Sequence, residues 1–244
     1  MRNYPPLFLK NQSTKDILNE VKNLIPRNTQ VYLFGGTVRN ALYYEFFNEE
    51  IQQRDFDCIV IGDGETFAQN LFGSGFLIGK KNSRGAKILK KARISDLSDN
   101  FDDWVYLDCK IYESDRDIES ILQKISDLTI SGVALDLNES NDSDWMNKVR
   151  ALPFAIEDLK KKQLRVVNLY PVTLYKIIRL ISAGFKQPSE REIQNSFKKL
   201  KEIDKDTFLR DKEKTIRYVG GEEKVLEIAR NMGIESDILN FKTS

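Results

Sequence analysis

"VYLFGGTVRNALYYEFFNEEIQQRDFDCIVIG", residues 31–62, joins an apolar run to two glycines, a helix-like segment and a second apolar run that carries two aspartates. The spacing predicts a strand ending at Gly35 and Gly36, a helix over "TVRNALYYEFF", and a second strand in "FDCIVIGDG" that closes on a turn. Residues i and i+2 of a strand share a face, so Asp55 and Asp57 project to one side while Phe56 and Cys58 project to the other. Two carboxylates this close raise each other's proton affinity unless a cation lies between them. A divalent metal relieves that cost.

A third carboxylate, Asp108, sits mid-strand in "WVYLDCKIY". Cys109 follows it as Cys58 follows Asp57, so in both strands the thiol is expected to turn away from the acid and into the packed side. Three acids on neighbouring strands would make a two-metal clamp for phosphoryl transfer. Gly35 and Gly36, without side chains, let their amides approach a phosphate, and the helix start that follows favours negative charge. Arg39, one turn into that helix, is placed to reach the same anion. Alone, a Gly-Gly pair fits a plain turn and an Asp-x-Asp fits a surface strand. In series they form one connected unit with phosphate and metal parts on adjacent elements.

Composition narrows the chemistry. The 244 residues, 41% hydrophobic, suffice for one large domain or two small ones. The absence of histidine excludes a histidine base and the usual Cys/His zinc sites, and two cysteines make no disulfide framework. Carboxylate oxygens remain, which suit hard ions such as Mg2+ or Mn2+. The longest apolar runs fall well short of the about 18 residues that span a bilayer, and "MRNYPPLFLKNQ" lacks the apolar core of a signal peptide. The expected setting is cytoplasmic, with no membrane partner. Residues 1–150 hold 19 Lys+Arg against 23 Asp+Glu, net −4, and residues 151–244 hold 19 against 14, net +5, which together give the chain's +1. An acidic metal-binding half beside a basic half that meets a polyanion would produce this split, as would a solvated helical surface.

Around this unit, "STKDILNEVKNLIP" predicts an amphipathic helix with Ile17, Val21, Leu24 and Ile25 on one face, ended by Pro26. "FLIGKKNSRGAKILKKARI" predicts strand, loop and strand. From about Asp115 the pattern turns mostly helical, through "DIESILQKI", "WMNKVRALPFAIEDLKKK", "PVTLYKIIRLISAGF", "SEREIQNSFKKLKEI", "DKEKTIRYVG" and "GEEKVLEIARNMG". The expected class is α+β: a mixed sheet with helices packed on it over residues 1–140, then a small helical domain over 141–244. The polar "DLNESNDSD" at 136–144 is the expected surface loop between the halves.

At "GGTVRNAL", 35–42, and "RDFD", 54–57, the sequence resembles the nucleotidyltransferase superfamily, specifically the head domain shared by bacterial poly(A) polymerases and class II CCA-adding tRNA nucleotidyltransferases. That family carries Gly-Gly-x-Val-Arg-Asp-x-Leu followed by Asp-x-Asp, and Asn40 stands where it usually has aspartate. "VYLDCKIYESD" resembles the strand with its further acidic position. "SDLTISGVALDL" resembles Arg-Arg-Asp-Phe-Thr-Ile-Asn-Ala-Leu, keeping Asp127, Thr129 and Ile130 but holding Ile125, Ser126 and Ser131 in place of the arginines and asparagine. "EDLKKKQLRVV" is similar to the segment leading to the neck helix, with Leu164 and Arg165 in place. Where the family has Glu-Asp-Pro-x-Arg, whose acid and arginine contact the incoming base, this chain has "LYPVT" and keeps only Pro171.

The resemblance implies a metal-dependent transfer of a nucleoside monophosphate from an NTP to a hydroxyl, with the 3′ end of an RNA as acceptor. Asp55, Asp57 and Asp108 would be the catalytic metal ligands. Gly35, Gly36, Arg39, Asn40 and Arg54 would hold the nucleotide, with Lys80, Lys81 and Arg84 in the following loop as further phosphate or RNA contacts. The missing base-reading residues keep two other readings open: a stand-alone or toxin-like transferase acting on a small molecule or protein, and a catalytically reduced RNA-binding module.

Overall fold

The computed structural model of the chain describes residues 6, 9, 10, 12–51, 55–82, 85–91, 104–234 and 236–240; for 13, 55, 77–82, 85–91, 104–106, 236 and 237 it describes the backbone alone. Two compact units emerge, Met1–Gln123 with Ser131–Leu152, and Lys124–Ile130 with Pro153–Ser244. The first is built on a seven-stranded sheet in the order β3-β4-β5-β2-β1-β6-β7. Its strands are β1 (Gln30–Phe34), β2 (Asp55–Ile61), β3 (Leu77–Asn82), β4 (Gly85–Lys91), β5 (Trp104–Tyr112), β6 (Val133–Asp136) and β7 (Arg150–Ala151). Among the described residues only β2 and β5 run parallel and every other neighbouring pair of strands is antiparallel, so the sheet is mixed, as expected.

Register organises the core. Leu33 pairs with Leu135 on one side and Cys58 on the other, and Cys58 pairs with Cys109, giving one row across β6, β1, β2 and β5. No member of that row is more than 2% exposed. A one-residue slip would turn the row to the other face, so its burial fixes the register of every residue beside it. The helices of this unit are α1 (Gln12–Asn23), α2 (Gly36–Phe47), α3 (Gly64–Gly73) and α4 (Ile118–Ile125), the last two residues of α4, Lys124 and Ile125, falling in the second unit. In α1, Ile17, Leu18 and Val21 are buried, and the helix stops at Asn23, short of Leu24 and Ile25. Seven consecutive residues of α2, Thr37–Tyr43, are buried. A helix enclosed on all sides shows no apolar stripe, which is why "TVRNALYYEFF" has weak helical periodicity.

The second unit is helical: α5 (Ala155–Lys160), α6 (Thr173–Ser182), α7 (Glu190–Leu200), α8 (Lys205–Val219) and α9 (Glu222–Asn231). Ser189 caps α7 through a reciprocal capping box with Glu192. Gly220 ends α8 in the left-handed conformation. Tyr175 of α6 packs edge-on against Phe208 of α8, with ring centroids 5.9 Å apart, and its buried hydroxyl donates to the carbonyl of Ile238 at 2.7 Å.

One helical expectation is corrected. "WMNKVRALPFAIEDLKKK" forms a single 3-10 turn over Trp145–Lys148, the short strand β7, and only then α5. Pro153 lacks an amide and disfavours a helical residue before it, and Phe154 lies at φ 67, outside the right-handed helix. The polar 136–144 segment holds a 3-10 turn, Leu137–Glu139, within the first unit.

Gly62, at the exit of β2, takes φ +115, and a Cβ there would lie 2.4 Å from the carbonyl oxygen of Asn28. Gly62→Ala is therefore expected to cost about 1–3 kcal/mol, a drop of several degrees in Tm. Thermal unfolding at an unchanged Tm would show that this close approach does not constrain the fold.

Candidate active site

The buried Cys58–Cys109 pair dictates what lies next to it. One residue back on each strand, Asp57 and Asp108 are register partners on adjacent parallel strands, both half-buried. Side chains at this position alternate away from the thiols, so the two carboxylates share the opposite face. Asp55 is the first residue of β2, paired with Tyr106. Its backbone position gives it the same facing as Asp57, and its side chain lies outside the described atoms.

β1 ends beside this pair. Gly35 sits at φ 62, ψ −122, a conformation that only glycine adopts without strain, and its amide donates to the carbonyl of Val133 at 3.0 Å. A Cβ on Gly35 would fall 4.0 Å from Oδ2 of Asp57 and 3.9 Å from the carbonyl oxygen of Ser131. The glycine thus turns the chain within van der Waals reach of the carboxylate. Gly36 is the first residue of α2, and no side chain caps that helix start. A strand end, a glycine turn, a helix start and two in-register acids are brought together.

Arg39 is 8% exposed, and its Nε and one terminal nitrogen both donate to Oδ1 of Asn40, at 3.1 and 2.9 Å. Asn40 in turn donates to the carbonyl of Ile51 at 3.4 Å. The pair is a buried fixture at the start of α2. Lys80 and Lys81 lie in β3, not in a loop: the apolar Leu77–Gly79 run continues into paired strand, with a register irregularity between Ile78 and Lys81. Their side chains are outside the described atoms, as are Arg54 and Arg84 entirely. Among the described residues, no three acidic or thiol side chains converge as a complete metal cage.

A residue missed by the sequence reading is Lys110, whose Nζ lies 4.9 Å from the ring centroid of Phe34. Two places beyond Asp108 on β5, it shares that aspartate's face; the alternation that singled out Asp108 also points to it.

The donor set fits a hard divalent cation. Asp57 and Asp108 project from neighbouring strands about 5 Å apart, and carboxylate oxygens are the ligands that Mg2+ and Mn2+ prefer.

No protein-family model and no curated protein sequence matches the chain. Solved structures do. The Thermotoga maritima CCA-adding enzyme complexed with tRNA aligns with a TM-score of 0.66 and 19% identity over 90% of this chain and 51% of that one. The Bacillus stearothermophilus CCA-adding enzyme in complex with CTP gives 0.65 and 15% over 95% and 55%. A further CCA-adding enzyme with CTP gives 0.64 and 21% over 89% and 49%. The chain has the fold of the CCA-adding nucleotidyltransferases. It spans about half the length of these structures.

In the helical unit, Tyr170 and Thr173 bond to each other. Thr173 is fully buried; its Oγ1 accepts from the amide of Tyr170 at 3.0 Å, and its own amide donates to the Tyr170 carbonyl at 3.0 Å. The Tyr170 hydroxyl donates to the carbonyl of Lys124 at 2.6 Å. Asp127 accepts from Lys176 Nζ at 2.7 Å.

Burial and a hydrogen bond to Cys109 push the Cys58 thiol well above its usual range, the hydrogen bond being the larger cause. Both cysteines are free. A raised thiol pKa leaves less thiolate, the reactive form. Ellman's reagent at pH 8 is expected to leave Cys58 unlabelled in the native protein and to label both cysteines in guanidinium. Rapid native labelling of Cys58 would contradict the packed thiol row.

Proposed function

We propose that the chain is a metal-dependent nucleotidyltransferase that moves a nucleoside monophosphate from an NTP to a hydroxyl, with an RNA 3′ end as acceptor. The observation that carries this reading is the in-register pair Asp57 and Asp108 beside the Gly35 turn and a start of α2 that no side chain caps. The fold likeness supports it, since the similar structures include CCA-adding enzymes with tRNA, with CTP and with ATP.

Asp57 and Asp108, joined by Asp55, would hold the Mg2+ or Mn2+ ions. Such ions, when bound, supply charge neutralisation on the triphosphate and acidify the attacking hydroxyl. With the Gly35 amide committed to the carbonyl of Val133, the Gly35 turn brings the start of α2, from Gly36 on, to the triphosphate, because a helix start presents N–H groups and a positive dipole end. Arg39, held by Asn40, adds a fixed positive charge at that turn, and Arg54, Lys80 and Lys81 complete the proposed nucleotide-binding set. The acceptor oxygen bonds to the α-phosphorus, the bond to pyrophosphate breaks, and the hydroxyl proton leaves to solvent. Packing of the Cys58 and Cys109 row behind the acids keeps both carboxylates aligned throughout.

A second reading, in which the acceptor is a small molecule or a protein, is favoured by one observation: Tyr170 and Thr173 satisfy each other where the resembled family reads the base.

Incubation with Mg2+, each labelled NTP and total RNA is expected to extend RNA 3′ ends. Chelation should abolish transfer, and Asp57→Asn should lower its rate about a thousandfold or more, the loss of several kcal/mol of charge stabilisation. Label appearing only on protein or small molecules selects the second reading. Transfer that survives Asp57→Asn unchanged excludes the proposed metal site.

A further inference from the structure

Phe154 combines two features that are each unfavourable for a phenylalanine. It is 57% exposed, so the ring gains little from burial, and its backbone sits at φ 67, where a side chain is strained and glycine is at ease. Strain of this kind persists where surrounding structure over-determines it, and such outliers point toward function. Here the surroundings are specific. The guanidinium carbon of Arg165 lies 4.7 Å from the centroid of the Phe154 ring. Arg165 donates to Oδ1 of Asp158 at 3.2 Å, and Oδ2 of the same carboxylate accepts from Thr129 Oγ1 at 2.6 Å. Asp158 is 2% exposed. A buried, doubly bonded acid thus anchors an arginine against an exposed aromatic ring.

We infer that Phe154 and Arg165 form a stacking platform for an unpaired base of single-stranded RNA. An aromatic face next to a guanidinium plane suits a nucleobase, which stacks on either, while the adjacent positive charge attracts the phosphate that follows. The same short segment carries Lys160, Lys161 and Lys162; Lys161 pairs with Glu157 and Arg165 with Asp158, and two further lysines leave the stretch basic around the ring. An apolar protein partner would gain from the ring but not from the cations around it. In taking the bound strand to be the acceptor, the inference rests on the transferase reading; the contact is testable with no NTP present, so the two fail separately.

The test uses the full chain and a short single-stranded oligoribonucleotide carrying 2-aminopurine. Binding is followed by anisotropy and stacking by quenching. Phe154→Gly suits φ 67, so the variant is expected to fold with an equal or higher Tm while binding the oligonucleotide about tenfold more weakly and losing the quench. Phe154→Tyr should keep both signals. A chain that does not bind the oligonucleotide, or a folded Phe154→Gly that binds and quenches within twofold of the parent, overturns the platform.

Discussion

The parallel register of β2 with β5 is the constraint on which the rest depends. Cys58 against Cys109 and Asp57 against Asp108 are the same pairing one residue apart. The thiol row is buried across four strands, so the acids have no freedom to separate without breaking the core. Two unit charges about 5 Å apart at an effective dielectric of about 20 repel by roughly 3 kcal/mol. That is a large part of the net stability of an ordinary domain, about 5–15 kcal/mol. Apolar packing enforces the register whatever partners the acids have, and a cation on the acid face would turn any such repulsion into attraction.

Much of this was legible from residues 31–62, because alternation in a strand is a two-residue rule that needs no tertiary information. The strand, Gly-Gly turn, helix and second strand appear in the predicted order, and the same rule placed Asp108 opposite its cysteine. Which strands would be neighbours was not legible: β2 and β5 are separated by α3, β3 and β4, and only the fold puts their acids in register. Residues 145–160 failed for a local reason. Trp145, Val149, Leu152 and Leu159 have helix-like spacing, but Pro153 and the left-handed Phe154 divide the segment. Lys80 and Lys81 looked like loop because charged pairs are rare in central strands; β3 is an edge strand of the sheet, where lysines are favoured because they discourage pairing with another chain.

The glycine turn and the acids are linked by distance as well as by sequence. With a would-be Cβ of Gly35 only 4.0 Å from Asp57, any side chain at 35 would enter the space beside the carboxylate, and the positive φ makes that substitution strained independently of space. The local backbone and the acid pair therefore specify one small volume, bounded on one side by Gly35 and on the other by β5.

Asn40 sharpens what that volume prefers. It holds the Arg39 guanidinium by two hydrogen bonds, as a carboxylate would, but contributes no negative charge. Between an aspartate and an asparagine at 40 the difference is one negative charge, and this asparagine adds none beside the guanidinium's own charge in the first turn of α2. Burial at 8% exposure keeps that charge from being screened as it would be in water. The helix start adds partial positive charge of the same sign. A neutral amide at 40 thus holds the arginine in the turn while placing one negative charge fewer beside it than an aspartate would, a local difference set by a single residue.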